Sequence, residues 1–255
     1  MLTALLIAAA GAAGAATLPP GSEPPDAIEL GRSVQDRPIT AVHRPDGDGD
    51  GADAVTVVVI GVIHGDEPAG LDIVSRLHEL PLTDDVELYL IDTMNPDGLA
   101  AATRGNANGV DLNRNFPYNW GPIGGPGDGQ YAGPEEASEP ETRAMTAFLG
   151  EHDPDLVIWY HQDLFMVAPA QGREGEIRAR YAELTGLPMA SPTGGTYTGV
   201  AATWARNELA ANEPEPGVAF IVELGPTLSP DEADTHAAAV LTVAAEIATA
   251  RAATG

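Results

Sequence analysis

The tetrad His64-Gly-Asp-Glu67 closes the most apolar strand-like run of the chain, Ala54-Val-Thr-Val-Val-Val-Ile-Gly-Val-Ile63. An imidazole nitrogen and a carboxylate oxygen three residues apart across a strand-to-helix turn can bind one zinc ion between them. Pro68 favours such a turn, because proline is accepted in the first turn of a helix, where no N–H is needed. Two other histidines have an acid three residues on, His43 with Asp46 and His152 with Asp155. Both lie in turn-like sequence and read as solvated loops.

Three further segments carry groups that could act with the first. Asp155-Leu-Val-Ile-Trp-Tyr-His161-Gln162 is a second apolar strand ending in histidine. If it runs parallel to the first, both histidines reach the sheet edge where open α/β folds hold ligands. His64, Glu67 and His161 then form a three-ligand set with one open position, the arrangement of a catalytic zinc. Val218-Ala-Phe-Ile-Val-Glu223 ends a third apolar strand in a carboxylate, which is costly there unless paired or working. Glu223 is therefore either the partner of an arginine or a base for the attacking water. The loop Thr103–Pro117 gathers Arg104, Asn113 and Arg114. Guanidinium and carboxamide groups suit a substrate carboxylate, although either arginine could instead neutralise Asp111.

The elements that must position these groups alternate along the chain. Strands are expected at Ile39–His43, Ala54–Ile63, Val86–Ile91, Leu156–Tyr160 and Val218–Leu224. Their continuous β-branched runs fit a sheet covered on both faces. Helices are expected at Pro68–Leu80 and Gly175–Leu184, with two more opened by Ser138-x-x-Glu141 and Ser229-x-x-Glu232. Those two pairs have capping-box spacing, with proline in the first turn. The fold implied is an α/β/α sandwich around a mainly parallel or mixed sheet. The long Gly/Pro-rich segments 95–137 and 168–198 are expected to wall the site.

Composition limits the partners. The chain has 255 residues, no cysteine and a net charge of −26, and all 12 of its basic residues are arginine. Disulfides and thiol chemistry are excluded, and the charge opposes binding to nucleic acid or an anionic membrane. Such a surface fits a saline habitat, or else a genome that avoids lysine codons. Residues 1–16 form an uncharged, Ala-rich apolar run with a small-x-small site at Ala13-Gly-Ala15. They read as a secretory signal peptide without a basic start, too short for stable membrane insertion. The Pro-rich residues 17–26 read as a linker, and 27–255 as one catalytic domain. The Asp/Gly repeat 45–51 lacks the downstream glutamate of a calcium loop and reads as a turn.

Taken in order, His64-x-x-Glu67, Asn95-Pro-Asp-Gly98, Arg104, Gly109-Val-Asp-Leu-Asn-Arg-Asn-Phe116, His161 and Glu223 resemble the zinc carboxypeptidase family. The short chain and the Tyr131-Ala-Gly-Pro…Ser-Glu-Pro-Glu-Thr142 segment resemble its bacterial branch of murein peptide amidases. The resemblance implies one zinc per chain on His64, Glu67 and His161, with Glu223 as the catalytic carboxylate. It implies Arg104 at the developing oxyanion, and Asn113 and Arg114 on the substrate's terminal carboxylate. The substrate implied is a peptide or muropeptide. Digestive members have arginine where Asp66 stands here, and their mobile tyrosine matches either Tyr197 or the register through Trp204. Two other readings remain at this level: a deacylase of the aspartoacylase and succinylglutamate desuccinylase type, and a non-catalytic zinc- or peptide-binding domain.

Overall fold

The computed structural model describes residues 27–45, 54–83, 85–208 and 217–254. The expected signal peptide and linker, and most of the Asp/Gly repeat, lie outside them. One seven-stranded sheet organises the rest. Its strands are β1 (Ala27–Arg32), β2 (Pro38–Arg44), β3 (Val55–Val62), β4 (Val86–Thr93), β5 (Leu156–Gln162), β6 (Met166–Val167) and β7 (Val218–Leu224). They stand in the order β1-β2-β4-β3-β5-β7-β6. The central four, β4, β3, β5 and β7, are parallel, and β1, β2 and β6 join antiparallel at the two edges.

Helices α1 (Gly70–Glu79), α2 (Pro96–Ala101), α3 (Pro140–His152), α4 (Gly172–Thr185), α5 (Ala201–Glu208) and α6 (Pro230–Thr254) complete the fold. The two faces of the sheet separate by residue parity, as the strand repeat of two requires. Val57, Val59, Ile158, Tyr160 and Phe220 pack under α1, α4 and α6. Val58, Ile60, Val157, Trp159 and Ala219 pack against Phe116, α3 and α5 on the other face. Both faces are therefore buried, which explains why the central strands read as unbroken apolar runs. Among the described residues no helix is long and apolar enough to cross a membrane.

The expected strands and helices all form, with ends displaced by a few residues. One cap differs. Ser229 and Glu232 build the reciprocal capping box of α6, whereas α3 starts from Glu139 without a side-chain cap. Glu141 is drawn away to accept from Val34 N–H and Asn106. The Ser138 hydroxyl donates instead to Glu139.

Chain order reverses between β3 and β5: from β3 the sheet is wound one way through β4, and from β5 the other way through β7. In open α/β sheets that switch point is where ligands bind. His64 follows β3 and His161 ends β5, so the crevice opens between them.

Candidate active site

The turn after β3 is closed by the Glu67 N–H donating to the His64 carbonyl at 3.0 Å. Gly65 is required inside it, because a Cβ there would lie 1.9 Å from the Gly98 carbonyl carbon. His64 Nδ1 lies 2.9 Å from Glu67 Oε1, and His161 Nδ1 lies 2.9 Å from Glu67 Oε2. All three side chains are buried, and their donor atoms fall within 4.8 Å of one another. Two imidazole nitrogens and one carboxylate converging in this way fit zinc, whose bonds to such donors are about 2 Å long. His43 and His152 take no part. His43 pairs with Glu87 and stacks on Tyr89, and His152 caps the Phe148 carbonyl.

Asp111 fixes the triad from behind. Its Oδ1 accepts from His64 Nε2 at 2.9 Å and from Asn113 N–H at 2.9 Å; its Oδ2 accepts from Arg104 Nε at 3.0 Å. A carboxylate on the far nitrogen of a ligating histidine sets both ring orientation and basicity. The loop arginines alone gave no sign of this role. Arg104 also reaches Glu67 Oε1 at 3.0 Å, so it lies against the triad itself. The Asn95-Pro-Asp-Gly98 motif is scaffolding. The Asn95 carboxamide caps α2 through Gly98 N–H and donates to the Ile63 carbonyl, tying α2 to the residue before His64. Asp97 holds the β1–β2 hairpin through Ser33, Gln35 N–H and Arg37.

Burial penalises charge throughout this cluster, but the hydrogen bonds outweigh it. His64 is raised above the usual imidazole range by Asp111 and Glu67. Glu67 is held well below the carboxylate range by both histidines, and Asp111 by His64 and the arginines. The carboxylates stay ionised, as a cation site requires.

Glu223 pairs in register with His161 across β5 and β7, so the two side chains share one face of the sheet. Its Oε2 is buried and has no partner. Burial, reinforced by Glu67, raises its proton affinity above the ordinary glutamate range, with His161 opposing. Among the described residues Glu223 makes no ion pair to an arginine.

The remaining predicted residues line the same cleft, a cavity of about 700 Å³. Asn113 is not free: its side-chain Oδ1 accepts from Ala201 N–H at the start of α5, and its Nδ2 lies 3.4 Å from His161 Nε2. Arg114 is 3 % exposed and makes no ion pair among the described residues; one Nη donates to the Asn113 carbonyl and its Nε is unpartnered. The Tyr197 ring covers this guanidinium at 5.1 Å. Trp204 is buried against Phe116, so Tyr197 is the aromatic residue that faces the cleft. Asp66 is exposed and does not line the cleft. Both Gly/Pro-rich segments contribute wall residues, such as Gln130 and Pro192.

This switch-point crevice, with a His/Glu/His set and a carboxylate facing it, defines a metallohydrolase. A family profile described as zinc carboxypeptidase matches residues 23–169, and the chain belongs to that family. It is a zinc-dependent hydrolase of peptide bonds. Murein peptide amidase A of Escherichia coli is 27 % identical over 195 residues, covering 72 % of this chain and 78 % of that protein. The crystal structure of murein-tripeptide amidase from Escherichia coli superposes with a TM-score of 0.64 at 25 % identity, over 89 % of this chain and 93 % of that one. The fold is also that of carboxypeptidase A from Helicoverpa armigera, with a TM-score of 0.73 at 19 % identity over 88 % of this chain and 68 % of that one.

Proposed function

We propose that this zinc hydrolase releases the terminal residue of cell-wall peptides, cutting the amide between γ-D-glutamate and a terminal diaminopimelate that bears a free carboxylate. Arg114 carries the terminal-carboxylate part of this reading. A buried guanidinium without an ion pair is costly unless an anion completes it, and it opens onto the cleft that holds the triad. The relatives named as murein peptide amidases support the cell-wall part.

In this reading His64, Glu67 and His161 hold the zinc. When bound, zinc supplies a Lewis acid that polarises the scissile carbonyl and makes water nucleophilic near neutral pH. Arg114, with the carboxamide of Asn113, fixes the terminal carboxylate. Tyr197 closes over that pair and shields it from water. Glu223 takes the proton of the attacking water and passes it to the leaving nitrogen as the C–N bond breaks. Its unpartnered Oε2 and raised proton affinity support the role. Arg104 offers positive charge beside Glu67, where the tetrahedral oxygen gains negative charge. The apolar residues 1–16 support export to the compartment where such peptides are met.

Amidating the terminal carboxylate of L-Ala-γ-D-Glu-diaminopimelate tests the reading. Wild-type kcat/KM should fall at least ~10²-fold, because a buried cation loses the anion that pairs with it directly. Arg114→Ala should discriminate little between the two forms. Equal cleavage of both by the wild type would remove the carboxypeptidase geometry. Faster release of C-terminal Phe or Leu from ordinary peptides would remove the cell-wall substrate alone.

A further inference from the structure

Two more arginines line the same cleft, and the proposed reaction has no use for them. Ile221 lies two residues before Glu223 on the same face of β7, about 7 Å deeper along the strand, and it lines the cavity. Deeper still, Arg178 Nη2 donates to the Ala219 carbonyl at 3.2 Å, while Nη1 donates to the Ala168 carbonyl. Arg178 is 7 % exposed, pairs with Glu174 and has an unpartnered Nε. Arg206 approaches from α5. Its Nη1 lies 3.6 Å from the same Glu174, its one ion pair among the described residues, and its side chain is 40 % exposed. Two guanidinium groups thus share one carboxylate, leaving a net positive charge in this part of a cleft whose other charged lining residues are Glu67, Arg104, Arg114, Asp163 and Glu223.

The direction of the cleft says what that charge meets. Asn113, beside the carboxylate-binding Arg114, holds the first residue of α5, and Arg206 stands five residues on, about 7.5 Å along the helix. Thr203, Ile221 and Arg206 line the same cavity as Arg114, so a released residue anchored at Arg114 can extend its side chain toward Arg206. An extended side chain ending in a carboxylate, met by the long side chain of Arg206, spans such a distance.

We infer that Arg206, oriented by the Arg178–Glu174 pair, is a specificity-determining residue that binds a carboxylate at the far end of the released residue's side chain. This deepens the cell-wall reading and rests on it for the anchoring of the released residue at Arg114.

Diaminopimelate is lysine with a carboxylate on its last carbon, so this pair of released residues isolates the contact. On L-Ala-γ-D-Glu-X, the wild type should favour diaminopimelate over lysine at X by tenfold to a hundredfold in kcat/KM, the range of a charge-assisted hydrogen bond. Arg206→Gln should bring the ratio near one, and Arg206→Glu should reverse it. The ratio is taken within each protein, so partial misfolding does not affect it. A wild-type ratio of one, or a ratio retained in Arg206→Gln, overturns the assignment. The same pair on α-linked acyl-Phe-X peptides separates the two claims. Cleavage of the α-linked series alone, with the Arg206-dependent ratio, removes the cell-wall reading and keeps Arg206. Cleavage of γ-linked peptides with no dependence on Arg206 does the opposite.

Discussion

Replacing Asp111 with asparagine changes one oxygen in a fully buried side chain, and the consequences can be worked from its partners. The carboxylate accepts from His64 Nε2, Asn113 N–H and Arg104, all at 2.9–3.0 Å. A carboxamide has one acceptor oxygen. If that oxygen keeps His64 and Asn113, the new NH2 faces the Arg104 guanidinium, donor against donor; the opposite flip opposes His64 instead. In either orientation His64 loses a charged acceptor, and a zinc ligand without such support typically binds 10–100-fold more weakly, about 1.4–2.8 kcal/mol. The assay is competition for zinc against a chelator of known affinity, comparing the dissociation constants of variant and wild type. Asp97→Asn is the control, since Asp97 is equally buried but holds Ser33, Gln35 and Arg37 rather than the triad. It should lower the melting temperature and leave zinc affinity unchanged. A zinc dissociation constant within twofold of wild type in Asp111→Asn would refute the orienting role.

Two stability predictions follow from groups outside the cleft. His236 is buried, lies with Nδ1 2.7 Å from the Tyr181 hydroxyl, and is pulled by burial from 6.5 down to about 4. The unfolded chain takes up a proton as pH falls through 6.5 and the folded one only near 4, so stability is complete above 6.5 and lost between those values, on the order of 3 kcal/mol. Melting curves from pH 7 to 4.5 should fall less steeply in His236→Gln, and equal slopes would contradict this. With a net charge of −26, self-repulsion weakens the fold in dilute buffer, so molar sodium chloride should raise the melting temperature; a flat or falling response would leave codon usage as the reason for the composition.

The parts of the fold legible in the sequence are those decided by burial. β3, β5 and β7 are buried on both faces and announced themselves as β-branched runs, each ending in a chemically active residue. β6 has two residues and depends on pairing with β7, so no periodicity could reveal it. β1 alternates too weakly, with most of its residues partly exposed. Helices α2 and α5 have six and eight residues, and α2 begins in what reads as an Asn-Pro-Asp-Gly turn. The Ser138 capping box failed because Glu141 had a tertiary competitor in Val34 N–H and Asn106, which local spacing does not encode. In the site, the types and chain order of the converging His64, Glu67 and His161 were readable. The hydrogen bond between His64 and Asp111 was not, because it depends on which face of His64 the loop approaches. Nor was the Arg206–Glu174–Arg178 group, whose members come together only when α4 and α5 pack at the β7 edge.

The central claim is that a zinc held by His64, Glu67 and His161 works with Glu223 as the base. Its most direct test is single-turnover hydrolysis by Glu223→Gln at measured zinc content. One zinc per chain with a rate reduced by ~10²–10⁴-fold is the result predicted, because the substitution removes a general base and no metal ligand. Full zinc occupancy with a rate near wild type would contradict it.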